Sequence, residues 1–416
     1  MAKKEKLSVE PYKGVRDFYP EDQAFLNYIL ATMREVVERF GYAEYHASIL
    51  EPAELYKGKG VENEEIINDQ SYTFLDRGGR EVTLRPEMTP TVARMVAGKR
   101  RELGFPLRLY SIPNVFRYER PQRGRLREHW QLNVDLFGSN AAAADAEVIA
   151  VAYSVMIAFG AKESDFTIKL GSRNFTDSLI TKIGLDGAQA AKFRRLLDQR
   201  GKIPENKFME DLATLGVALE MLSPEKPPKD VAEVLSILTD EMGIGNAVFD
   251  PGVIRGFNYY TGVVFEVFDT HPDNSRAMFG GGRYENLTAL FDEEQVPGVG
   301  FGMGDVTIRD FLAVRGLVPP YTPRTRVYLA AASATSVSAA LALAGELRAE
   351  GIAVAVDFGE KKLGDQIKAA AKHKIPYVIV VGPDEIAKGT YVARNLETGG
   401  EAVLTKEALS EFFLNL

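Results

Sequence analysis

LRLYSIPNVFRYERPQRGRLREHWQLNVDLFG, residues 107–138, is the stretch that decides the fold. Within it, HWQLNVDLF (129–137) alternates apolar and polar residues, as a strand with one buried face does. The run LRLYSIPNVFRYE (107–119) predicts another strand. Between the two runs the chain is rich in arginine and is interrupted by Pro121 and Gly124. Proline and glycine mark loops, so this pattern predicts two strands joined by a long, mobile surface loop.

This loop concentrates positive charge, although the whole chain carries a net charge of −8. The loop contains one acidic residue, Glu119, and the arginines Arg117, Arg120, Arg123, Arg125 and Arg127. Arginine forks suit phosphates because they stay charged and donate paired hydrogen bonds. The loop therefore predicts a surface that closes on a nucleotide or on RNA. A solvated basic hairpin is the alternative.

The segment LRPEMTP (84–90) offers a second candidate site. A strand that ends near Arg85 is followed by Glu87 and Thr89, and a carboxylate beside a hydroxyl can receive an ammonium group. Alternatively, Glu87 only favours the start of the next helix, because carboxylates stabilise the positive end of a helix dipole.

Two further segments combine polar side chains with glycine. In IRGFNYYTGVVFEVF (254–268), Arg255 precedes the adjacent Tyr259 and Tyr260. On a strand, neighbouring side chains face opposite ways, so one tyrosine is predicted to face a given site, with core packing as the alternative. In GGGRYENL (280–287), the glycines predict a turn and also permit close approach of the backbone to a ligand.

Several kinds of chemistry find no support. The chain has no cysteine, which excludes disulfides, thiolate metal sites and a cysteine nucleophile. Its four histidines are scattered without the spacing of metal ligands, so no metal-binding residues are predicted. VGFGMGD (299–305) lacks the spacing of a dinucleotide fingerprint, and no P-loop motif occurs. ATP would have to bind without either motif.

The 416 residues predict two or three domains. A polar stretch with proline breaks, about 165–250, is predicted to be an insertion subdomain. Prolines between 319 and 323 predict a linker. Beyond it, strands at Val327–Ala332, Ala353–Phe358 and Tyr377–Val381 alternate with helical segments, which predicts a small α/β domain with a largely parallel sheet.

No membrane segment is predicted. The N-terminal residues MAKKEKLSVEPYKG have no apolar run behind their lysines and do not fit a signal peptide. The longest apolar stretch, about Val148 to Ala161, is shorter than the ~20 residues that span a bilayer. A cytoplasmic location is expected.

Taken in order, these segments resemble the histidyl-tRNA synthetases, a family of class II aminoacyl-tRNA synthetases, along nearly the whole chain. FRYERPQRGR (116–125) resembles motif 2 of that class, and IRGFNYYTGVVFE (254–266) resembles a peptide peculiar to the histidine enzymes. LRPEMTP, GGGRY and VGFGMGD also match. The tail, from KKLGDQIKAAAKHK (361–374) onward, is similar to the family's anticodon-binding domain.

The resemblance implies an α+β catalytic domain with an antiparallel sheet over residues 1–320, with the insertion at about 165–250. It implies a C-terminal α/β anticodon-binding domain over residues 324–416. It also implies a homodimer that uses L-histidine, ATP with Mg²⁺, and tRNA(His).

The resemblance also implies roles for individual residues. Glu87 and Thr89 would hold the histidine amino group, and Tyr284 would close the pocket. Arg117 and Arg255 would be the catalytic pair that grips the α-phosphate, with Glu119 near the adenine. The rest of the amino-acid pocket would be formed by Gln131, Asp135, Tyr259 and Tyr260. The tRNA acceptor end would meet the loop from Arg120 to Arg127, in particular Arg120, Gln122, Arg123 and Arg125.

The chain departs from the family pattern at four positions, which are Ser48 in motif 1, Asp135, Asn258, and Thr307 in motif 3, with Arg309 two residues further on as a candidate substitute. The family has proline at the first and, at the position of Thr307, an arginine that stacks on adenine. Thr307 favours an alternative: the non-catalytic regulatory subunit of ATP phosphoribosyltransferase, which resembles the synthetases but generally lacks the tail. A synthetase-like sensor of uncharged tRNA is a third reading, which the intact charged pocket disfavours.

Overall fold

A computed structural model describes residues 7–57, 70–200, 203–222, 224, 226–254, 259–274, 276–291, 294–358 and 361–416. The chain divides into two compact units, Met1–Val318 and Pro319–Leu416. Each unit has hydrophobic clusters of its own. The description below therefore takes them one at a time.

The described strands of the first unit are β1 (Ala43–Glu44), β2 (Leu50–Pro52), β3 (Tyr72–Leu75), β4 (Glu81–Leu84), β5 (Leu107–Ser111), β6 (Asn114–Phe116), β7 (Glu128–Phe137), β8 (Phe166–Ser172), β9 (Ala247–Phe249), β10 (Val263–Asp269), β11 (Ala277–Tyr284) and β12 (Gly298–Gly304). Its described helices are α1 (Pro20–Arg39), α2 (Glu54–Lys57), α3 (Thr89–Lys99), α4 (Ala142–Ala158), α5 (Arg173–Ile183), α6 (Gly187–Asp198), α7 (Glu205–Thr214), α8 (Lys229–Ser236) and α9 (Asp305–Val314).

A large sheet organises this unit. Its order is β1-β5-β7-β12-β11-β10-β8-β9, with β6 paired to the start of β7. The pairs β1–β5 and β8–β9 at its two edges are parallel, and the pairs between them are antiparallel. One face packs on the apolar helix α4 and on α1, where Val134, Val151 and Phe265 are fully buried. The predicted antiparallel catalytic sheet is confirmed.

The run 107–119 forms two strands instead of the predicted one. Pro113 has no N–H to give to a ladder, and the chain breaks between Ser111 and Asn114 into β5 and β6. The carbonyl of Pro113 still accepts from the Gln131 N–H at 2.9 Å. Both strands therefore pair with β7. Strand β7 runs from 128 to 137, close to the extent that the alternating pattern predicts.

The turn predicted at GGGRY (280–284) is wrong, because these residues lie inside β11. Glycine is a turn signal in a sequence, but here it serves a close approach between strands. A Cβ on Gly281 would collide with the backbone of β12, and a Cβ on Gly282 would lie 2.8 Å from the Val263 carbonyl of β10. The glycines allow β11 to pack tightly between its two neighbours.

The second unit contains β13 (Val327–Ala331), β14 (Val354–Val356), β15 (Tyr377–Val381), β16 (Thr390–Asn395) and β17 (Glu401–Thr405), with helices α10 (Val337–Ala349), α11 (Leu363–Lys372), α12 (Pro383–Lys388) and α13 (Lys406–Leu414). The sheet order is β14-β13-β15-β16-β17. The first three strands are parallel, as predicted, but β15–β16 and β16–β17 are antiparallel.

The prediction of a largely parallel sheet therefore holds for only half of these pairings. The missed strands, β16 and β17, form a hairpin whose turn contains Gly399 with a φ of 75°, and the Gly399 N–H donates to the Asn395 carbonyl at 3.0 Å. A left-handed residue suits glycine, and ETGG at 397–400 was the available signal.

Candidate functional site

On the second face of the large sheet, a row of glycines in β12 leaves a stretch without side chains, called here the glycine floor. The register pairs Gly304 with Gln131, Gly300 with Asp135 and Gly298 with Phe137. Because side chains alternate along a strand, Gly298, Gly300, Gly302 and Gly304 all face the same side of the sheet. A Cβ on Gly300 would lie 2.5 Å from Asp135 Oδ1. The glycines leave room there for the polar side chains of β7.

Asp135 lies in the middle of this face and is only 2% exposed. The Tyr284 hydroxyl donates to its Oδ1 at 2.5 Å, while its Oδ2 has no hydrogen-bond partner among the described residues. Burial raises the pKa of Asp135 to about 7, the negative charge of Glu87 adds to the rise, and the hydrogen bond from Tyr284 opposes it. The free oxygen is available to a ligand that donates a hydrogen bond.

Glu87 supplies a second buried carboxylate. It follows β4 just before α3, and its Oε2 accepts from the Tyr259 hydroxyl at 3.0 Å. Thr89, the first residue of α3, also contacts that hydroxyl, and burial with the charge of Glu87 raises the pKa of Tyr259 well above its usual value. The Tyr56 hydroxyl donates to the Glu87 carbonyl at 3.2 Å. Glu87 is thus held in place by groups on both sides.

Three tyrosines join the two carboxylates. The ring centroids of Tyr259 and Tyr260 are 4.8 Å apart, and those of Tyr259 and Tyr284 are 6.0 Å apart. All three belong to one buried cluster. The prediction that Tyr259 and Tyr260 face opposite ways is wrong, because both precede β10 and are not on a strand. The alternation of strand side chains does not apply to them.

Arg117 ties the basic loop to the Glu87 segment. Its Nε donates to the Pro86 carbonyl at 2.9 Å, and its N–H donates to the Arg127 carbonyl at 2.9 Å. Its predicted partner, Arg255, lies outside the described residues, as does Asn258. Convergence of two arginines on one phosphate therefore stays a prediction.

Two residues near Arg117 were not singled out from the sequence. Burial lowers the pKa of His129 to about 3, and the positive charges of Arg117 and Arg16 lower it further, so the ring is neutral. Arg16 reaches this point from the N-terminal segment and donates to Asp305 Oδ2 at 2.7 Å. Asp305 also accepts from the Trp130 N–H at 2.9 Å. The sequence signal for Arg16 was weak, because 115 residues separate it from Gln131.

Gln131 faces the same side as Asp135 and donates from Nε2 to Asn133 Oδ1 at 2.6 Å. Glu119, half-buried beyond Arg117, has an Oε2 3.6 Å from Arg125 Nε. The structure therefore brings Glu87, Thr89, Asp135 and the three tyrosines into one buried cluster. Arg117 contacts the Glu87 segment through Pro86, and Gln131 lies on the same sheet face as Asp135.

The basic loop ends in a tight turn. Gln122 and Arg125 exchange backbone hydrogen bonds of 3.1 and 2.9 Å, and Gly124 between them has a φ of 77°. Arg120, Gln122, Arg123 and Arg125 are exposed. These side chains are accessible to a large ligand such as RNA.

Arg127 differs from the rest of the loop, for which contact with the tRNA acceptor end was predicted. It is 8% exposed, its guanidinium carbon lies 3.9 Å from the centre of the Tyr118 ring, and its Nη1 donates to the Tyr12 hydroxyl at 2.8 Å. It anchors the loop to the N-terminal segment, because its N–H also donates to the Gly14 carbonyl at 2.7 Å.

In the altered motif 3, both Thr307 and Arg309 make contacts within the protein. The Thr307 hydroxyl donates to the Met278 carbonyl at 2.8 Å, and its methyl group lies 3.6 Å from where a Cβ on Gly124 would be. Arg309 donates to Asp22 at 2.7 Å and lies over the Phe25 ring of α1. Arg309 is therefore engaged with α1. In motif 1, Ser48 accepts from the Leu50 N–H at 3.1 Å.

The described residues contain no group of three or more histidine or acidic side chains placed to hold a metal ion. In the same residues, no helix has both the length and the apolar character needed to cross a membrane.

Known proteins match the chain over its full length. The histidyl-tRNA synthetase family model matches residues 14–306, and the anticodon binding domain model matches residues 326–416. A histidine–tRNA ligase of Leptospira biflexa is 38% identical, with 98% of each chain covered. The solved histidyl-tRNA synthetase of Nostoc sp. PCC 7120 superposes with a TM-score of 0.78 at 22% identity, covering 99% of this chain and all of that one.

A further solved structure, an ATP phosphoribosyltransferase regulatory subunit/histidyl-tRNA synthetase from Bacillus halodurans, has a TM-score of 0.72 at 24% identity. It covers 91% of this chain and 99% of that one. At this identity the likeness shows the fold alone.

The sheet with its polar pocket and the separate α/β unit define a class II aminoacyl-tRNA synthetase fold with an anticodon-binding domain. Since the family model spans most of the first unit and a relative is 38% identical over 98% of the chain, the chain belongs to the histidyl-tRNA synthetase family. The predicted family and fold class are confirmed.

The buried Asp135 carboxylate predicts a stability gain in the Asp135→Asn variant. Its folded pKa of about 7 lies above its usual 3.8, so the wild-type fold loses stability from this group as pH rises from about 4 to about 7. At pH 8 a neutral amide avoids that cost and raises the free energy of unfolding by as much as ~4 kcal/mol. Urea unfolding measured from pH 8 down to pH 5 checks this, and a difference that does not shrink with acidification contradicts it.

Proposed function

We propose that the chain activates L-histidine with ATP and then transfers the histidyl group to tRNA(His). The observation that carries the proposal is the pair of buried carboxylates, Glu87 and Asp135, each held by a tyrosine hydroxyl within one aromatic cluster. Histidine has a hydrogen-bond-donating group at each end, an α-ammonium and a ring N–H. A carboxylate at each end of the proposed pocket can accept a hydrogen bond from one of these groups.

The proposed roles follow from this orientation. Glu87 and Thr89 receive the α-ammonium, while Asp135 and Gln131 face the imidazole. Tyr259 and Tyr260 pack beside the bound amino acid, and Tyr284 fixes the Asp135 carboxylate. Burial supports strong discrimination, because a ligand without the matching groups leaves the pocket's polar atoms unpaired.

In the first proposed step, a histidine carboxylate oxygen attacks the α-phosphorus of ATP. A carboxyl–phosphate bond forms, and the bond from the α-phosphorus to the pyrophosphate oxygen breaks. Negative charge spreads over the phosphoryl oxygens, and Arg117, with Arg255 from the undescribed stretch, stabilises it. The attacking group is already ionised, so the step needs no general base. Glu119 is proposed to lie near the adenine.

The second step joins the amino acid to tRNA. A hydroxyl of the terminal ribose attacks the acyl carbon of the adenylate, and AMP leaves. The exposed side chains Arg120, Gln122, Arg123 and Arg125 are proposed to contact the acceptor end, because guanidinium groups bind phosphates well. The second unit is proposed to bind the anticodon region.

Three finer expectations complete the proposal. Mg²⁺ is expected to arrive as part of the substrate, bound to the phosphates of ATP. A homodimer is supported by the exposed apolar side chains Leu50 and Phe74, which share one face of the small sheet β2-β4-β3, since exposed apolar patches mark interaction surfaces. A cytoplasmic location fits a synthetase that serves protein synthesis there.

The direct test is pyrophosphate–ATP exchange with each of the twenty amino acids in turn. We expect exchange that depends on histidine and exceeds the rate with any other amino acid by ~10⁴ or more. The regulatory-subunit alternative, which Thr307 favours, predicts no exchange with any amino acid. Exchange driven best by an amino acid other than histidine would leave the fold assignment intact and overturn the proposed substrate.

A further inference from the structure

Three buried polar atoms near the amino-acid pocket lack a partner at normal hydrogen-bond geometry. They are the Tyr45 hydroxyl, the Ser111 hydroxyl and Asp135 Oδ2, among the described residues. The two hydroxyls interact with each other. The residues are 9%, 2% and 2% exposed. Buried polar groups are nearly always paired in folded proteins, so three atoms without a well-formed hydrogen bond in one region call for a ligand or for bound water.

The sheet register places the three side chains on one face. Strand β1 runs parallel to β5, pairing Ala43 with Leu109, and the Tyr45 N–H donates to the Tyr110 carbonyl at 2.9 Å. Tyr45 therefore follows β1 beside Ser111. On the other side of β5, Leu109 pairs with Asp135. Since Leu109 and Ser111 are two residues apart, both face the glycine floor, and Ser111 is a diagonal neighbour of Asp135.

The Tyr45 ring belongs to the cluster that contains Tyr259, Tyr260 and Tyr284. Its hydroxyl lies close enough to the Asp135 carboxylate to interact with it. Burial and then that negative charge raise the pKa of Tyr45 well above its usual value, while a hydrogen bond with Ser111 opposes the rise. The hydroxyl of Tyr45 is therefore at the Asp135 end of the pocket.

The proposed substrate needs a hydrogen-bond donor at that end. A neutral imidazole carries one N–H and one unprotonated nitrogen. The carboxylate of Asp135 can accept from the N–H but cannot donate. The hydroxyl of Tyr284 already donates to Asp135, and the amide of Gln131 already donates to Asn133. The hydroxyls of Tyr45 and Ser111 interact with each other. When one of them donates to the other, the second hydroxyl still has its proton to donate to a ligand.

We propose that Tyr45 and Ser111 determine specificity for histidine: the Tyr45 hydroxyl donates to the unprotonated ring nitrogen, the Ser111 hydroxyl donates to the Tyr45 oxygen, and Asp135 Oδ2 accepts from the ring N–H. The inference rests on the proposed function and adds two residues to the site. It assigns each polar edge of the ring a partner, and it explains why the pocket carries a pair of hydroxyls that interact with each other and have no further acceptor among the described residues.

The test removes one oxygen at a time. We expect Tyr45→Phe to raise the KM for histidine in pyrophosphate exchange ~10–100-fold, with kcat within about threefold and the KM for ATP unchanged. Ser111→Ala is the second variant, with a smaller effect in the same direction. Tyr42→Phe is the matched control, because it removes a hydroxyl that bonds Glu147 on the opposite face, and its KM for histidine stays at the wild-type value.

A substrate analogue separates specificity from structural damage. An alanine bearing a pyrrole ring keeps an N–H but has no unprotonated nitrogen, and both ring isomers are used. The wild-type protein has a much higher kcat/KM for histidine than for the analogue. In Tyr45→Phe the ratio of these two kcat/KM values falls at least tenfold. An unchanged KM and an unchanged preference in both pocket variants overturn the inference. A wild-type protein without histidine-dependent exchange instead overturns the proposed function.

Discussion

Replacing Arg117 with alanine lowers the rate constant for histidine-dependent pyrophosphate exchange about 10²–10³-fold, the loss typical when one preorganised donor to a developing charge is removed. Arg117 is fixed before substrate arrives, because its Nε is bonded to the Pro86 carbonyl, next to the Glu87 that is proposed to hold the amino acid. Its remaining nitrogens can then meet the phosphate without reorganisation. The effect is on kcat, measured with saturating histidine and ATP.

Two companion variants sharpen this result. Arg117→Lys keeps the charge and loses the planar fork, so we expect an intermediate rate. Arg120→Ala removes an exposed arginine three residues along the same loop and leaves exchange at the wild-type rate. Thermal unfolding of Arg117→Ala checks that the lost bond to Pro86 has not unfolded the protein. Near-normal exchange by a folded Arg117→Ala variant would refute the role assigned to this residue.

Removing residues 319–416 leaves histidine-dependent exchange within a few-fold of the full chain and lowers the kcat/KM for charging tRNA at least 10²-fold. The residues proposed for the exchange site belong to the first unit, which has its own core. A tRNA held at both its acceptor end and its anticodon end binds far more tightly than one held at the acceptor end alone, since the second contact is intramolecular.

The measurement is aminoacylation of tRNA with labelled histidine, run beside exchange on the same preparation. Raising the tRNA concentration recovers part of the lost charging, because the deletion weakens binding and spares the chemistry. Charging at the full-chain rate would show that the second unit has been misassigned. Loss of both activities with loss of cooperative unfolding would show instead that the first unit depends on the second.

How much of the fold the sequence predicted depended on whether a pattern was local. The alternation in 129–137 is a property of consecutive residues, and β7 matches its extent closely. The predicted single buried face is wrong, because both faces are buried from Leu132 to Phe137. Glycine is ambiguous, because it marks a turn when the chain reverses and a close approach when strands meet. At GGGRY the second cause applies, and only the neighbouring strands reveal it. The C-terminal hairpin was missed because short polar strands carry little periodic signal.

The residues of the candidate site also divide into those that the sequence predicted and those that only tertiary contacts reveal. Glu87, Asp135 and Tyr284 were found because motif resemblance carries position, not because any periodicity showed that they meet. Tyr45 and Arg16 make their contacts with residues 65 or more positions away, which no local pattern encodes. Arg127 shows the converse, since a charge cluster in the sequence does not separate an arginine stacked on Tyr118 from its exposed neighbours.

The glycine row of β12 constrains how this pocket can change over evolution. At Gly298, Gly300 and Gly302 any substitution adds atoms on the ligand side, where a Cβ would collide with Tyr284, Asp135 or Gln131. Mutation at these sites can add volume on this face but never remove it. New amino-acid preferences would have to arise from the side chains that pack over the glycines, where tyrosines can be exchanged for smaller residues.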